Sequence, residues 1–478
     1  MCEFLSFLFL FFQKKKKGKN PLLKIGVVFS GGQAPGGHNV IFGLLQALKK
    51  LNPKNELLGF LNGPSGILEA KTKRITLASI KPYRNQGGFD LIGSGRTKIE
   101  TKAQLKQAAA SVKKLKLDGL VIIGGDDSNT NAAVLAEYFL QKKVTTKVVG
   151  VPKTIDGDLQ NEFVEISFGF DTASKTYAEI IGNIAKDALS AKKYYHFIRL
   201  MGRSASHITL ECALQTNPNL TFISEEIQDQ KHSLESLVSM LAALIEKRAA
   251  KNKNYGIILI PEGLIEFIPE MKKLIQELNR ILAKASVDIE KVSSKLSSHS
   301  KKVFSSLPSS LQKQLLLDRD PHGNVQVSKI ETEKLFIEMV KPLLQKKKIP
   351  FHAVSHFLGY EGRAGFPTNF DANYCFALGH VAALLLSQGY TGYMACISHL
   401  SKPFDKWGAM GLPLVSLFDM EERKGKLKPV IKKALVDLKA KPFKKLTSFR
   451  KTLLLEDKYQ SPGPIQFFKE LERPLILS

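Results

Sequence analysis

The residues most able to do chemistry lie in two short stretches, 124–130 (GGDDSNT) and 152–158 (PKTIDGD). Each follows an apolar, β-branched run, 118–123 (DGLVII) and 146–151 (TKVVGV). Such runs read as buried strands of a parallel sheet, whose C-terminal ends carry the chemistry. Two strand ends would then present Asp126, Asp127, Asp156 and Asp158, with Lys153 among them. Four carboxylates and a lysine at one sheet edge suggest metal-assisted phosphoryl transfer. That reaction needs neutralised phosphate charge, a positioned acceptor and a base for its hydroxyl proton. Asp126 follows a strand and a Gly-Gly turn, a place suited to holding Mg²⁺ directly or through water, since magnesium takes only one or two carboxylates. Asp156 suits the general base, and Lys153 a point charge on a transferring or leaving phosphate. Arg203 and Arg363 are candidates for a sugar-phosphate acceptor. The competing reading makes these aspartates helix N-caps and turn formers. It suits any one of them, and suits all four together poorly.

The elements that must position them follow from periodicity. Residues 24–30 (KIGVVFS) read as a buried strand, then GGQAPGGHN as a turn, then a helix with Val40, Leu44, Leu45 and Leu48 on one face. A strand, a Gly-rich turn and a helix N-terminus form an anion site, although the turn has neither the Walker ending nor GxGxxG. Residues 89–101 are a second Gly-rich segment, and its Arg96 could reach a phosphate. Helices are expected over 102–115 and 134–143. The repeat of strand, loop and helix over 24–200 implies a doubly wound sheet. Further strands are expected before MGR (201–203), within 255–264 (YGIILIPEGL) ending at PEG, from 353, and at 394–398.

From 265 to 348 the apolar spacing becomes helical, with a turn at 320–324 (DPHGN) and a capping box from Ser328 to Glu331. This reads as a helical insertion, a candidate regulatory or oligomerisation module. The expected organisation is an α/β protein with a tail at 1–21, one lobe at 22–190, a second lobe at 191–264 and 349–410, the insertion at 265–348, and a C-terminal helical segment at 411–478.

The chain has 478 residues, 44% of them hydrophobic, enough for two or three lobes with large cores. Its formal net charge is +26, which admits nucleic acid, a membrane surface or small anionic substrates as partners. Most lysines fall in helix-like segments and read as solvated faces. Arg84, Arg96, Arg199, Arg203 and Arg363 instead sit beside Gly-rich or strand-end motifs. Cys2, Cys212, Cys375 and Cys396 form no CxxC or zinc spacing, which fits reduced thiols in a cytoplasmic protein. The N-terminal apolar run, about eleven residues before QKKKKGKN, is too short to span a bilayer and has its charges on the wrong side for a signal peptide.

The motifs FSGGQAPGGHN, GSGR, GGDDSNT, PKTIDGD, MGRSASH, PEG and GYEGR occur in the order that characterises phosphofructokinases. The GGDD doublet with PKTID resembles the diphosphate-dependent branch. KYYHFIRLMGRSASHITLECALQT and the closing SPGPIQFF look like its long form. The resemblance runs from about 24 to 468 and implies two Rossmann-like lobes of the phosphofructokinase type. It implies reversible transfer of phosphate from diphosphate to the C1 hydroxyl of fructose 6-phosphate. It places Gly32 and Arg96 on the diphosphate and Asp126 on magnesium. Thr154, Ile155 and Asp156 would line the sugar-phosphate site, Asp156 as base. Met201, Gly202 and Arg203 would contact the sugar-phosphate region, Glu262 the sugar hydroxyls, and Tyr360 and Arg363 the 6-phosphate. Lys193 and Tyr194 would reach a neighbouring subunit's site, which implies a homodimer or larger homo-oligomer, with no nucleic-acid or membrane partner.

The resemblance also implies that Asp127 and Lys153 choose the phosphoryl donor. ATP-using relatives carry glycine at both positions. A carboxylate at 127 fills the space of the nucleotide α-phosphate and repels it, and a lysine at 153 can neutralise the leaving phosphate. Gln33 stands where many relatives have Asp, and Gly157 where Asn is common. His38, in the slightly longer first loop, is read as a loop hydrogen-bonder. The alternatives are an ATP-dependent enzyme, disfavoured by Asp127 and Lys153, and a non-catalytic regulatory subunit, disfavoured by Asp126, Thr154, Asp156, Arg203 and Arg363.

Overall fold

The computed structural model describes residues 22–282, 292–319, 324–423 and 426–463. The N-terminal tail, most of the 320–324 turn and the end of SPGPIQFF lie outside the described residues. The chain divides into two units, 1–176 with 360–434 and 469–478, and 177–359 with 435–468.

The first unit is built on β1 (Lys24–Ser30), β2 (Glu56–Phe60), β3 (Thr72–Ile75), β4 (Ser94–Gly95), β5 (Gly119–Gly124) and β6 (Lys147–Pro152). With two later strands, β11 (Tyr393–Ser398) and β12 (Gly408–Pro413), they form one sheet in the order β12-β11-β6-β5-β1-β2-β3, β4 pairing with β1. β1, β2, β5 and β6 run parallel, and β5 is buried throughout, as its GLVIIG sequence requires. The chain leaves β1 towards β2 and returns to β5 on the other side. The C-terminal ends of β1 and β5 therefore flank a switch point, where α/β sheets open a ligand crevice.

β11 (Tyr393–Ser398) and β12 (Gly408–Pro413) extend this same sheet, β11 parallel to β6 and β12 antiparallel to β11. The expectation that 349–410 lies wholly with the second lobe is corrected. Only its first strand goes there, because MACIS finds an open parallel edge at β6. The segment from 411 is likewise not all helical. It contains a hairpin of β13 (Phe418–Arg423) and β14 (Lys426–Ile431) before the helix Lys441–Leu453.

Helix Asn369–Ser387 is long and apolar enough to cross a membrane, yet 78% of that window is buried. It packs on helix Gly37–Leu51 with Gly43 against the Phe376 carbonyl and Gly379 against the Val40 carbonyl. A Cβ at either glycine would come within 2.2 Å of that oxygen. Core packing inside a folded unit accounts for its apolar length.

The second unit carries a parallel sheet in the order β10-β7-β9-β8, from β7 (Tyr194–Leu200), β8 (Leu220–Thr221), β9 (Tyr255–Pro261) and β10 (Ala353–Leu358). The 265–348 insertion is helical as expected, with helices Pro269–Leu282, Ser298–Ser306, Ser309–Leu317 and Thr332–Lys346. It is not a separate module. Met271, Leu274, Phe304, Leu315 and Phe336 share one core with Phe197, Ile258 and Ile260 of the sheet. Arg199 on β7 ties into it, 2.7 Å from buried Glu333 and stacked 3.9 Å from the Phe357 ring centroid. The expected Ser328 capping box does not form. Val327–Lys329 is a 3-10 turn that buries Val327, and the helix starts at Thr332.

Candidate active site

In the first unit the two Gly-rich segments are tied together. The Gly31 amide donates to the Gly95 carbonyl (2.8 Å), and the Ser94 hydroxyl donates to the Gly31 carbonyl (2.7 Å). The turn after β1 faces cations. A Cβ at Gly31 would lie 3.5 Å from Lys153 Nζ, and one at Gly32 would lie 3.6 Å from Arg96 Nη2 and 3.9 Å from Arg363 Cζ. A lysine from the end of β6, an arginine after β4 and an arginine from 360–363 thus converge on one backbone turn. Ser128 Oγ, bonded to Ser30 Oγ at 2.8 Å, borders it.

Lys153 is buried. Burial pushes its ammonium down to about 8; Arg363 and Arg96 push the same way, while Asp156 and Asp126 oppose them. A cation held against its desolvation, beside two further cations, is arranged to receive an anion.

The carboxylates face this cradle from the ends of β5 and β6. Asp126 and Asp127 form the first turn of helix Asp126–Gln141, with Gly125 as its N-cap. The helix-start reading is therefore partly right. It does not account for the crowding, since burial first, then Asp127 and Asp158, raise the Asp126 carboxyl above its usual range against the pull of Lys433. Asp127 pairs with Lys98 at 3.0 Å. The 152–158 stretch is a tight turn in which the Thr154 hydroxyl accepts from the Asp156 amide (3.1 Å) and donates to Asp158 Oδ1 (3.3 Å). Ile155 is buried beneath it. Arg363 lies over the exposed Tyr360 ring, 4.7 Å from its centroid.

Gly32, Arg96, Asp126, Lys153, Asp156 and Arg363 are thus linked by contact or charge within one unit, and Asp127, Thr154, Ile155 and Tyr360 adjoin them. Among the described residues no group of three or more His, Cys, Asp or Glu forms a metal cage. The donors present are carboxylate oxygens beside an anion cradle, a set that suits a hard cation sharing its coordination with phosphate and water.

In the second unit, Met201, Gly202, Arg203 and Glu262 gather where β7 and β9 end. Glu262 is buried, and its Oε2 accepts from the Gly202 amide at 3.1 Å. Arg203 lies 3.7 Å from Glu266. The PEG glycine is required here, because a Cβ at Gly263 would lie 1.8 Å from the Arg203 carbonyl oxygen. Lys193 and Tyr194 are not brought to this group. Tyr194 begins β7 and Met201 follows its end, so the strand holds them about 20 Å apart. Tyr194 is exposed and has φ 66°, in the left-handed region.

Three readings change. Arg199 belongs to the buried pair with Glu333 and not to a ligand site. Arg84 stacks on Phe42, 5.1 Å from its ring centroid. His38 lies in the first turn of helix Gly37–Leu51, fully buried, accepting from the Leu91 amide at 3.4 Å. Two lysines escaped sequence reasoning. Lys98 follows GSGR within reach of a motif. Lys433 sits 3.7 Å from Asp126 and 3.5 Å from Asp158, yet comes from a lysine-rich run with no motif of its own.

Residues 24–386 match the protein-family model for phosphofructokinase, and the chain belongs to the phosphofructokinase family. It is 56% identical over 454 residues to pyrophosphate–fructose 6-phosphate 1-phosphotransferase subunit beta 1 of Arabidopsis thaliana, covering 94% of this chain and 80% of that protein. It is 52% identical over 462 residues to pyrophosphate–fructose 6-phosphate 1-phosphotransferase of Treponema pallidum, covering 93% and 81%. The crystal structure of pyrophosphate-dependent phosphofructokinase from Marinobacter aquaeolei shares the fold, with TM-score 0.60 at 16% identity over 92% of this chain and 93% of that one.

Proposed function

We propose that this chain transfers a phosphoryl group reversibly from diphosphate to the C1 hydroxyl of fructose 6-phosphate, giving fructose 1,6-bisphosphate and phosphate. The observation that carries the proposal is the cradle of Lys153, Arg96 and Arg363 around the Gly31–Gly32 turn, faced by Asp126 and Asp156. The names of the relatives at 52–56% identity support the same donor and acceptor.

The Asp156 carboxylate takes the proton of the C1 hydroxyl. The freed oxygen attacks the terminal phosphorus of diphosphate, and the bond from that phosphorus to the bridging oxygen breaks. Inorganic phosphate departs with the bond pair, its charge met by Lys153 and by the arginines. Asp126 is assigned to hold magnesium, which when bound neutralises phosphate oxygens. Gly32 and Arg96 bind diphosphate. Thr154, Ile155, Tyr360 and Arg363 are assigned to the sugar phosphate, as are Met201, Gly202, Arg203 and Glu262 of the second unit. Lys193 and Tyr194, at the opposite end of β7 from Met201, are assigned to a neighbouring copy's site in a homo-oligomer. We place the protein in the cytoplasm; its described cysteines, Cys212, Cys375 and Cys396, are free and buried.

A coupled assay of the purified chain with diphosphate or ATP tests this. Turnover with diphosphate and little with ATP is expected. Robust ATP turnover without diphosphate turnover overturns the donor assignment, and inactivity with both overturns the catalytic reading. Sedimentation tests the homo-oligomer.

A further inference from the structure

We infer that Lys433 is a positioning residue that serves Asp126 and Asp158 as a built-in counter-cation, and that a divalent cation arriving at Asp126 must displace its ammonium. The inference rests on the assignment of Asp126 as the metal-holding carboxylate.

Its Nζ lies 3.7 Å from Asp126 Oδ2 and 3.5 Å from Asp158 Oδ2, so one ammonium bridges the strand ends of β5 and β6. The approach is fixed by the backbone. The Ala434 amide donates to the Asp158 carbonyl at 2.8 Å, which sets the register of the segment leaving β14 against the 152–158 turn. That register sends Lys433 inward, while Lys432 stays exposed, 3.9 Å from Asp419. Asp158 is nearly buried and divides its carboxylate between two partners, Oδ1 accepting from Thr154 and Oδ2 facing Lys433. Asp158 has no role in the transfer steps above. The geometry gives it one, as the anchor that keeps Lys433 beside Asp126.

An ammonium within 4 Å of a carboxylate satisfies the anion and repels a second cation brought to the same oxygen. Lys433 therefore offsets the repulsion between the two carboxylates before the metal arrives, and it lowers affinity for a bare metal ion. A metal already carrying diphosphate brings a net negative charge, which the cradle of Lys153, Arg96 and Arg363 attracts. Lys433 thus favours the metal–diphosphate complex over the free ion. Its own charge stays close enough to follow the anion.

The test is Mn²⁺ binding to the full chain at pH 8 without diphosphate, free Mn²⁺ being counted by electron paramagnetic resonance. Lys433→Met and Lys433→Gln should each bind Mn²⁺ about tenfold tighter than the unaltered chain, and Lys433→Arg should match it. Two neutral variants guard against one failing to fold, and circular dichroism checks each. Equal or weaker binding in the neutral variants, with binding still lost in Asp126→Asn, overturns the role of Lys433. Binding that survives Asp126→Asn in the Lys433→Met background overturns the metal assignment and the inference with it.

Discussion

The Lys98 ammonium lies 3.0 Å from Oδ2 of Asp127, at the first turn of helix Asp126–Gln141. The carboxylate proposed to exclude a nucleotide α-phosphate is therefore held by a cation from the second Gly-rich segment. Removing the carboxylate does two things, since it opens space and releases a positive charge beside it. Asp127→Gly combined with Lys153→Gly should give measurable ATP-dependent turnover. Asp127→Asn, which removes the charge and keeps the volume, should give less ATP turnover than Asp127→Gly. Initial rates with each donor check this, and equal ATP rates in the two single variants would exclude the steric part.

Asp156 is predicted to be the base. The Thr154 hydroxyl bonds the Asp156 backbone amide, so shortening the Asp156 side chain leaves that turn bond intact. Asp156→Ala should lower kcat by about 10²–10⁴, with the thermal midpoint close to that of the unaltered chain. Rates paired with calorimetry separate lost chemistry from lost folding.

Lys153 supplies a pH dependence. Its folded-state value is lowered to about 8, so the ammonium is full below that pH and is lost as pH rises through it. Binding of the diphosphate anion needs the charged form. The kcat/KM for diphosphate, which reports the free enzyme, should be flat with respect to this group below about 8 and fall about tenfold per unit above it. Lys153→Met should be weak throughout and lack that alkaline limb. The effect on folding has the opposite sign. Because the folded pKa lies below the unfolded one, the charged form costs stability below about 8, and that cost disappears as pH rises towards 10.5.

The pair of Arg199 and Glu333 is buried at 2.7 Å and joins β7 to the helical insertion. Arg199→Met alone leaves a carboxylate buried opposite an apolar group and should cost about 3–5 kcal/mol. The double variant Arg199→Met, Glu333→Leu should recover most of that loss. Denaturant midpoints measure both.

The strands and their order of use were legible because their signals are local. KIGVVFS, DGLVII and TKVVGV are dense apolar runs, and each forms a strand within a residue of the expected bounds. The aspartates were legible for the same reason, since each lies within a few residues of its strand. Sheet membership was not. MACIS reads as a buried strand from its own composition, but which open edge it joins depends on β6, far away in sequence. The insertion looked separable because its periodicity is complete in itself. Its apolar face carries no mark of the sheet it covers. Lys433 was invisible because a lysine among lysines acquires a role only when a backbone bond fixes where it points.

The late return of β11 to β6 bears on how the chain is made. The Val148 amide donates to the Thr391 hydroxyl, 243 positions away. At roughly 5–20 residues per second a ribosome needs about 12–50 s between those two points. For that interval the nascent first lobe carries the edge of β6 without its partner, and for most of it the cradle of Lys153 and Arg96 still lacks Arg363. An unpaired, apolar parallel edge is a template for pairing with other chains. Products that stop before residue 360 keep it permanently, so premature termination should yield aggregates or protease substrates and no partial enzyme.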